Sequence, residues 1–362
     1  MDSSFFFGFS TVAYILAMIT YMTFLAFRRP NIGRAATGIT ITGFIFQTLA
    51  IGMRWKEFYD LSGMGFLRSA PLTNLYESLI FFVWCLILGY LIVEFKYKSR
   101  TFGAFVTPVA GLALAFIDIS GMSKEIQPLV PALQSNWLLV HVLMSFISYS
   151  AFALSFSAAL MYLIATTERK TEPSYIFWSL MLGIFVVVLA AMGLDFLKFK
   201  VVAKTPEVLI KSFLFRATFF SASPAVSVLS YIAAGVFVFS VWNWGHALKK
   251  IIRALGLQAE TLDEITYKSI AIGFPIFTLG GLIFGAIWAD QAWGVYWSWD
   301  PKETWSLITW FVYAFFLHAR LLRGWRGHKI AVVAVMGFVA VIFTYLGVNL
   351  LLSGLHAYGG LE

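Results

Sequence analysis

Histidine is the residue type in this chain best suited to bind a metal or move a proton near neutral pH. The five histidines are His141, His246, His318, His328 and His356. Cys85 is the single cysteine and lies in an apolar stretch, so the sequence contains neither a Cys-x-x-Cys pair nor an internal disulfide. We interpret Cys85 as a small core residue.

The aromatic segment at residues 293–305 is the second chemical feature. It reads Trp293-Gly-Val-Tyr-Trp-Ser-Trp-Asp-Pro-Lys-Glu-Thr-Trp305 and contains four tryptophans and one tyrosine. Interfacial aromatic belts spread such residues around a bundle, whereas here they are concentrated in one loop. We expect a flat aromatic surface at a membrane–water boundary. Asp300, Pro301 and Glu303 fit the N-cap, first and capping-box positions of a helix, so we assign no catalytic residue here.

The composition requires a membrane around these residues. The chain has 362 residues, of which 60% are hydrophobic and 12% charged, and its mean hydropathy is +0.82. A soluble domain of this length needs far more surface charge. Apolar runs of about 20 residues match the thickness of a bilayer and exclude a porin-type barrel. The sequence therefore predicts an all-α polytopic membrane protein, in which the first run is a retained span and not a signal peptide.

About ten transmembrane helices are predicted from the apolar runs. They lie near 5–27, 37–53, 75–95, 102–118, 137–165, 176–196, 224–245, 269–289, 303–322 and 330–352. We divide the chain into an N-terminal part (1–135, helices 1–4), a middle part (136–268, helices 5–7 with a basic segment at 197–223) and a core (269–362, helices 8–10 with the aromatic segment at 290–305).

The basic residues predict the orientation of these spans. One set of loops carries 16 Lys and Arg and the other carries 10, of which five lie between Lys198 and Arg216. The richer side is expected to be cytoplasmic or stromal, which puts both termini and the aromatic segment outside. The segment 197–223 breaks the pattern and is interpreted as an amphipathic helix on the outer surface. Basic residues spread over loops in this way give no indication of a nucleic-acid partner.

This topology sorts the histidines by depth. His141 and His356 fall at the outer face with the aromatic segment. His318 lies inside the ninth span, about 27 Å from Asp300 along a helix at about 1.5 Å per residue, and an ionisable residue at that depth suggests function. A hydrogen-bonding role between helices is the alternative for His318. His246 and His328 lie among basic residues at the inner face and are interpreted as interfacial anchors.

Two imidazoles beside an aromatic surface suit a planar, apolar ligand that carries a metal. Haem fits, because histidine is a common axial ligand and indole rings stack on a porphyrin. Zinc fits poorly, since neither cysteines nor carboxylates cluster near these histidines. Only one histidine lies deep in the membrane, so a haem held there would need a ligand from a partner.

The sequence resembles the haem-handling WWD proteins, and most closely the CcsA (ResC) family of the system II cytochrome c synthase. The resemblance is carried by Trp293–Ser306, Tyr313–Arg320, Arg323–Gly327 and Gly347–Tyr358, and more loosely by Pro71–Glu77 and His141–Ser145. Family members commonly have about eight spans, so the region 170–260 looks like an added pair of helices with the basic segment.

The resemblance implies roles for six residues. His141 and His356 would be the external ligands of haem b, with Trp293, Trp297 and Trp299 as its platform, and His318 would hold haem during its passage across the membrane. A partner of the CcsB (ResB) type would supply the opposing ligand. The function implied is cytochrome c biogenesis, in which haem is presented at the outer face of a bacterial plasma membrane or thylakoid membrane, toward periplasm, exterior or lumen.

The expected role is the haem-presenting part of a cytochrome c synthase (haem lyase) complex. The Cys-x-x-Cys-His segment of apocytochrome c would approach the displayed haem and become covalently attached to it. The thiols belong to that client, which explains why this chain needs none. One alternative is an exporter that releases haem without attaching it. A quinol-linked cytochrome b is a second alternative, which the scarcity of paired deep histidines disfavours.

Overall fold

The described part of the chain is helical throughout. The computed structural model describes residues 3–63, 65–72, 74–119, 135–196, 198, 215, 217–253, 258–348 and 352, and no β-strand occurs in these ranges. This confirms the all-α prediction. His356 and most of the segment 197–223 lie outside the described residues.

Eleven α-helices are described, and two of them continue into π-helical turns. They are α1 (Ser3–Phe27), α2 (Pro30–Ser62), α3 (Leu75–Tyr97), α4 (Gly103–Ile119), α5 (Asn136–Thr166), α6 (Pro173–Phe196), α7 (Pro224–Arg253), α8 (Ala259–Ile276), α9 (Gly285–Trp293), α10 (Pro301–Leu321) and α11 (His328–Ile342). The first π-helical segment, Phe277–Phe284, joins α8 to α9, and the second, Phe343–Gly347, extends α11.

Each of the ten predicted spans coincides with one of these helices or helix combinations. Seven are long and apolar enough to cross a membrane: α1, α2, α3, α5, α7, the combination of α8 with α9, and α11 with its π-helical extension. The remaining three predicted spans correspond to α4, α6 and α10. The chain is thus an integral membrane protein of the predicted helical type. The direction in which it crosses the membrane, and the division at residues 136 and 269, remain predictions.

Helix α5 is the centre of the bundle. Its side chains are mostly buried from Ser145 to Ala165, because it packs against α3, α8 and α11 on different sides. Helices α1, α2 and α4 form a group beside α3, and α6 packs along α7. His141 lies near the beginning of α5, so the packing of this helix positions His141.

Helix α7 lies at the periphery of the bundle. Its most apolar 18-residue window has no buried residue, and its large apolar side chains, such as Leu229, point away from α6. Near the end of α6, the Asp195 carboxylate accepts a hydrogen bond from the N–H of Ala217, which precedes α7, at 2.7 Å. The exposed apolar surface of α7 suits contact with lipid.

Candidate functional site

The beginning of α5 places His141 against the first π-helical segment. Its Nδ1 lies 2.8 Å from the carbonyl oxygen of Gly280. A carbonyl oxygen can only accept a hydrogen bond, so Nδ1 carries the proton of the neutral ring. The lone pair of the neutral ring then resides on Nε2, which is the nitrogen that ligates a metal in this tautomer. The contact with Gly280 therefore fixes both the orientation and the tautomer of His141.

Two glycines permit this close approach of α5. A Cβ atom on Gly285 would lie 2.8 Å from Nδ1 of His141, and a Cβ atom on Gly280 would overlap the side chain of Met144. The irregular backbone of the π-helical segment turns the Gly280 carbonyl toward α5, and π-helical turns often occur at functional sites. The position of His141 thus depends on backbone features of another helix.

Trp288 supports His141 from the side of α9. The two rings are stacked, with centroids 6.3 Å apart and planes inclined by 17°. Trp293 packs edge-on against the buried Trp288 at 4.8 Å. Ser135 also donates a hydrogen bond to Gln291 at 2.9 Å, which ties the start of α5 to α9. His141 and the aromatic segment are therefore joined through Trp288, a residue that the sequence analysis missed.

Trp297 and Trp299 form a separate pair farther along the segment. Their ring centroids are 5.8 Å apart and the rings are nearly perpendicular, at 85°, so the expected single flat surface is wrong for this pair. Trp299 has a φ of 60° and is 68% exposed. Such a backbone conformation costs about 1–2 kcal/mol outside glycine, and strained residues cluster at functional sites. The strain presents the Trp299 indole to the outside of the bundle.

The first turn of α10 holds this strained loop. As predicted, Asp300 is the N-cap, where it accepts from the N–H of Lys302 at 2.9 Å, and proline follows it. The carboxylate of Glu303 accepts from the N–H of Ser298 at 2.7 Å and from its hydroxyl at 3.1 Å. The Asp-Pro-Lys-Glu sequence therefore does more than start a helix, because Glu303 also fixes the residue before Trp299.

His318 lies on a different surface of the molecule. It is exposed near the end of α10, and Phe311, Phe315 and Leu322 on the same face are 58%, 49% and 76% exposed. Arg320 turns away from this face and pairs with Asp263 of α8 through contacts of 2.9 and 2.5 Å. Within the described bundle His318 thus points outward from an apolar strip and does not face His141.

The chain leading toward His356 is anchored near the start of α3. In the second π-helical segment, the hydroxyl of Tyr345 lies 2.7 Å from that of Ser78, and its ring packs on Phe146 of α5 at 5.2 Å. His356 itself lies outside the described residues. Of the six predicted site residues, His141 and Trp293 therefore come together through Trp288, while Trp297 and Trp299 form their own pair and His318 stands apart.

His328 and His246 take part in packing between helices. Nε2 of His328 lies 2.8 Å from the hydroxyl of Thr166, and its Nδ1 lies 3.2 Å from that of Ser174. The His246 ring packs 5.7 Å from that of Tyr175. Among the residues that the structure describes, no three His, Cys, Asp or Glu side chains gather into a metal-binding group.

Comparison with known proteins decides the family. A model of the family described as cytochrome C assembly protein matches residues 72–356, which is more than half of the chain. The chain belongs to the cytochrome c assembly protein family. Its place is therefore in cytochrome c biogenesis, in agreement with the resemblance carried by the aromatic segment.

Several curated relatives of this cytochrome c assembly protein are named cytochrome c biogenesis protein CcsA. The one from Gloeobacter violaceus is 37% identical over 359 residues, covering 97% of this chain and 94% of the relative. The one from Microcystis aeruginosa is 38% identical over 356 residues (97% and 95%), and that from Guillardia theta 34% over 352 residues (96% and 93%). The resemblance to CcsA is confirmed. Since the matches run almost end to end, the region 170–260 is not an addition relative to these proteins.

The matched range also includes the capped start of α3. Asn74 accepts from the N–H of Glu77 at 2.8 Å, and the Glu77 carboxylate pairs with Nε of Arg54 at 2.7 Å, with both side chains nearly fully buried. Arg54 and Glu77 line a cavity of about 100 Å³ together with Leu139 and Leu143 of α5. Removing one partner of such a buried pair typically costs 3–5 kcal/mol. The pair therefore secures α2 and α3 beside the helix that carries His141.

Proposed function

We propose that this protein displays haem b at the outer membrane face for covalent attachment to the Cys-x-x-Cys-His segment of apocytochrome c, as part of a system II synthase. His141 and His356 are the axial ligands, and Trp293, Trp297 and Trp299 form the aromatic surroundings. The observation that carries the proposal is the bond from Nδ1 of His141 to Gly280, which puts the lone pair of the neutral ring on Nε2, the nitrogen that would ligate the iron. A metal-ligating histidine commonly makes this kind of second bond.

The chain contributes position and not acid–base chemistry. The haem supplies vinyl groups, across each of which one client thiol adds, so that sulfur bonds to carbon and its proton passes to the neighbouring carbon. His141 orients its imidazole through Gly280 and Trp288, and the first turn of α10 orients Trp299. The client histidine then replaces one of the two imidazoles. Holding the vinyl groups and the client thiols in a reactive geometry can account for much of the rate of attachment.

His318 serves an earlier stage on the path from the cytoplasmic or stromal side. Its exposed position among Phe311, Phe315 and Leu322 supports a shared site in which a CcsB (ResB) type subunit covers the strip and provides the opposing ligand. An imidazole in a lipid-facing strip is costly without a partner, whereas an interface accommodates it. The apolar neighbours suit a porphyrin plane.

The test is the spectrum of the protein purified together with its partner subunit. We expect haem b with a bis-histidine spectrum, and at least tenfold less haem at the outer site in His141→Gly. Added imidazole should restore the spectrum of that variant, because it can occupy the space of the lost ring. His246→Ala, which changes a histidine that packs against Tyr175, should retain the wild-type spectrum.

Two outcomes would reject the proposal or its final step. A colourless complex, or a His141→Gly variant with an unchanged spectrum, contradicts haem ligation by His141. Release of free haem at the outer face, with no attachment to an added apocytochrome c, would instead identify an exporter.

A further inference from the structure

Two basic loops meet at the end of the bundle opposite the aromatic segment. The first joins α1 to α2 and the second joins α3 to α4. The side chain of Arg100 bridges them, because its Nε donates to the hydroxyl of Thr37 at 3.3 Å and its Cδ would lie 3.1 Å from a Cβ on Gly33. The start of α2 is thus adjacent to the second loop.

Six exposed cations surround this junction and are called here the basic cluster. They are Arg28, Arg29, Arg34, Lys96, Lys98 and Arg100. The single acidic residue in the stretches 28–34 and 94–100 is Glu94, which is buried and accepts from Thr37 at 2.6 Å and from Tyr21 at 3.0 Å. Nε of Arg100 lies 3.6 Å from its carboxylate. The negative charge of the two loops is therefore inside the bundle, and their surface is positive. Glu264 of α8 is an exposed carboxylate near Lys96, and it is paired with Lys268.

The backbone concentrates this charge near helix ends. Arg28 and Lys98 both have positive φ, 55° and 51°, although neither is glycine. These turns end α1 and α3 abruptly, and Arg28 comes two residues before the start of α2. That start carries Pro30 at its first position, and in the described structure no side-chain hydrogen bond caps it. The positive end of its dipole adds to the side-chain charge.

The cluster lies at the depth of lipid headgroups. Just before the two loops, Phe27, Ile92 and Phe95 are 68%, 58% and 63% exposed. Large apolar side chains exposed on membrane helices face acyl chains, and the cations begin where they end. Cations beside exposed apolar side chains suit an anionic lipid, whose headgroup would meet the cations while its acyl chains meet the apolar side chains.

We propose that the basic cluster binds the headgroup of an anionic lipid, and that Arg34 and Lys98 are among the cations that hold its phosphate or sulfonate. The inside-positive bias of membrane proteins alone would spread cations over all inner loops. It does not require two such loops to lie together, as the contacts of Arg100 with Thr37 and Gly33 show here. Clusters of four to eight cations beside membrane helices are typical of anionic-lipid sites.

The experiment compares lipid retention by the purified full-length chain. Wild type and Arg34→Gln/Lys98→Gln are exchanged into nanodiscs of equimolar phosphatidylglycerol and phosphatidylcholine, and the lipids that remain after delipidation are counted by native mass spectrometry. Arg323→Gln/Arg326→Gln is the matched control. It also removes two exposed cations. Both positions follow Arg320, whose partner Asp263 belongs to the same end of the bundle.

We expect wild type and control to retain phosphatidylglycerol in preference to phosphatidylcholine, and the cluster variant to retain roughly tenfold less of it. Equal retention by the cluster variant and wild type would overturn the proposal, as would an equal loss in the control. Adding inorganic phosphate separates a lipid site from a site for free anions. Displacement of the lipid by millimolar phosphate would contradict recognition of a lipid.

Discussion

At the scale of residues, the site depends on how closely His141 can approach another helix. Its ring is held between the Gly280 carbonyl and the Trp288 indole, and neither contact is visible in the sequence. The sequence identifies His141 as a candidate site residue by its depth in the membrane, because hydropathy predicts where each span begins and ends. It could not select Trp288, since a tryptophan near the end of a span is also an ordinary interfacial residue. The available signal for Trp288 is its spacing of three residues from Gly285, which puts both residues on one face of α9.

Gly285→Ala should displace His141. The added methyl would lie 2.8 Å from Nδ1 of His141, and overpacking of this kind typically costs 1–3 kcal/mol. We expect reduced haem retention at the outer site and a lower melting temperature. Gly235→Ala is the control, because a Cβ at that position of α7 meets nothing within 4 Å. A haem content in Gly285→Ala equal to that of the control would contradict the role given to this close approach.

At the scale of elements, hydropathy predicted a helix at each of ten positions, seven of which are long and apolar enough to cross a membrane, and Asp300 with Pro301 predicted the N-cap of α10. The sequence could not reveal the π-helical segments, because their apolar side chains continue the pattern of the adjacent α-helix. The bond from Ser298 to Glu303 was hidden for a different reason. The spacing is typical of a capping box, and only the backbone of Trp299 places Ser298 within reach of the carboxylate.

Glu303→Ala should loosen the loop that presents Trp299. It removes the acceptor of both Ser298 bonds, and a hydrogen bond to a charged group typically contributes about 1.5–3 kcal/mol. We expect a lower free energy of unfolding and a weaker near-ultraviolet dichroism from the tryptophans. Glu303→Gln retains an acceptor and should lose less of both signals. Equal losses in the two variants would indicate that Glu303 acts through its charge and not by holding Ser298.

At the scale of the whole molecule, the account requires one orientation in the membrane. The aromatic segment must face the compartment that contains apocytochrome c, and the basic cluster must face the opposite side. The bias of Lys and Arg among the loops predicts this orientation.

Topology reporters inserted at residue 131 and fused after residue 362 should both give external signals. The two positions follow an even number of predicted spans from an external N-terminus. A reporter at residue 170 is the control and should read as internal. An internal signal from position 131 or 362 would overturn the orientation and, with it, the outer site.

Haem attachment in cells tests the central claim most directly. Strains that carry His141→Ala or His356→Ala in place of the wild-type protein are compared by haem staining of cytochrome c after denaturing electrophoresis, with membrane levels of each variant matched by immunoblot. The account predicts that covalent haem on cytochrome c is lost in both strains. Normal haem staining in both would contradict an outer site built on these two histidines.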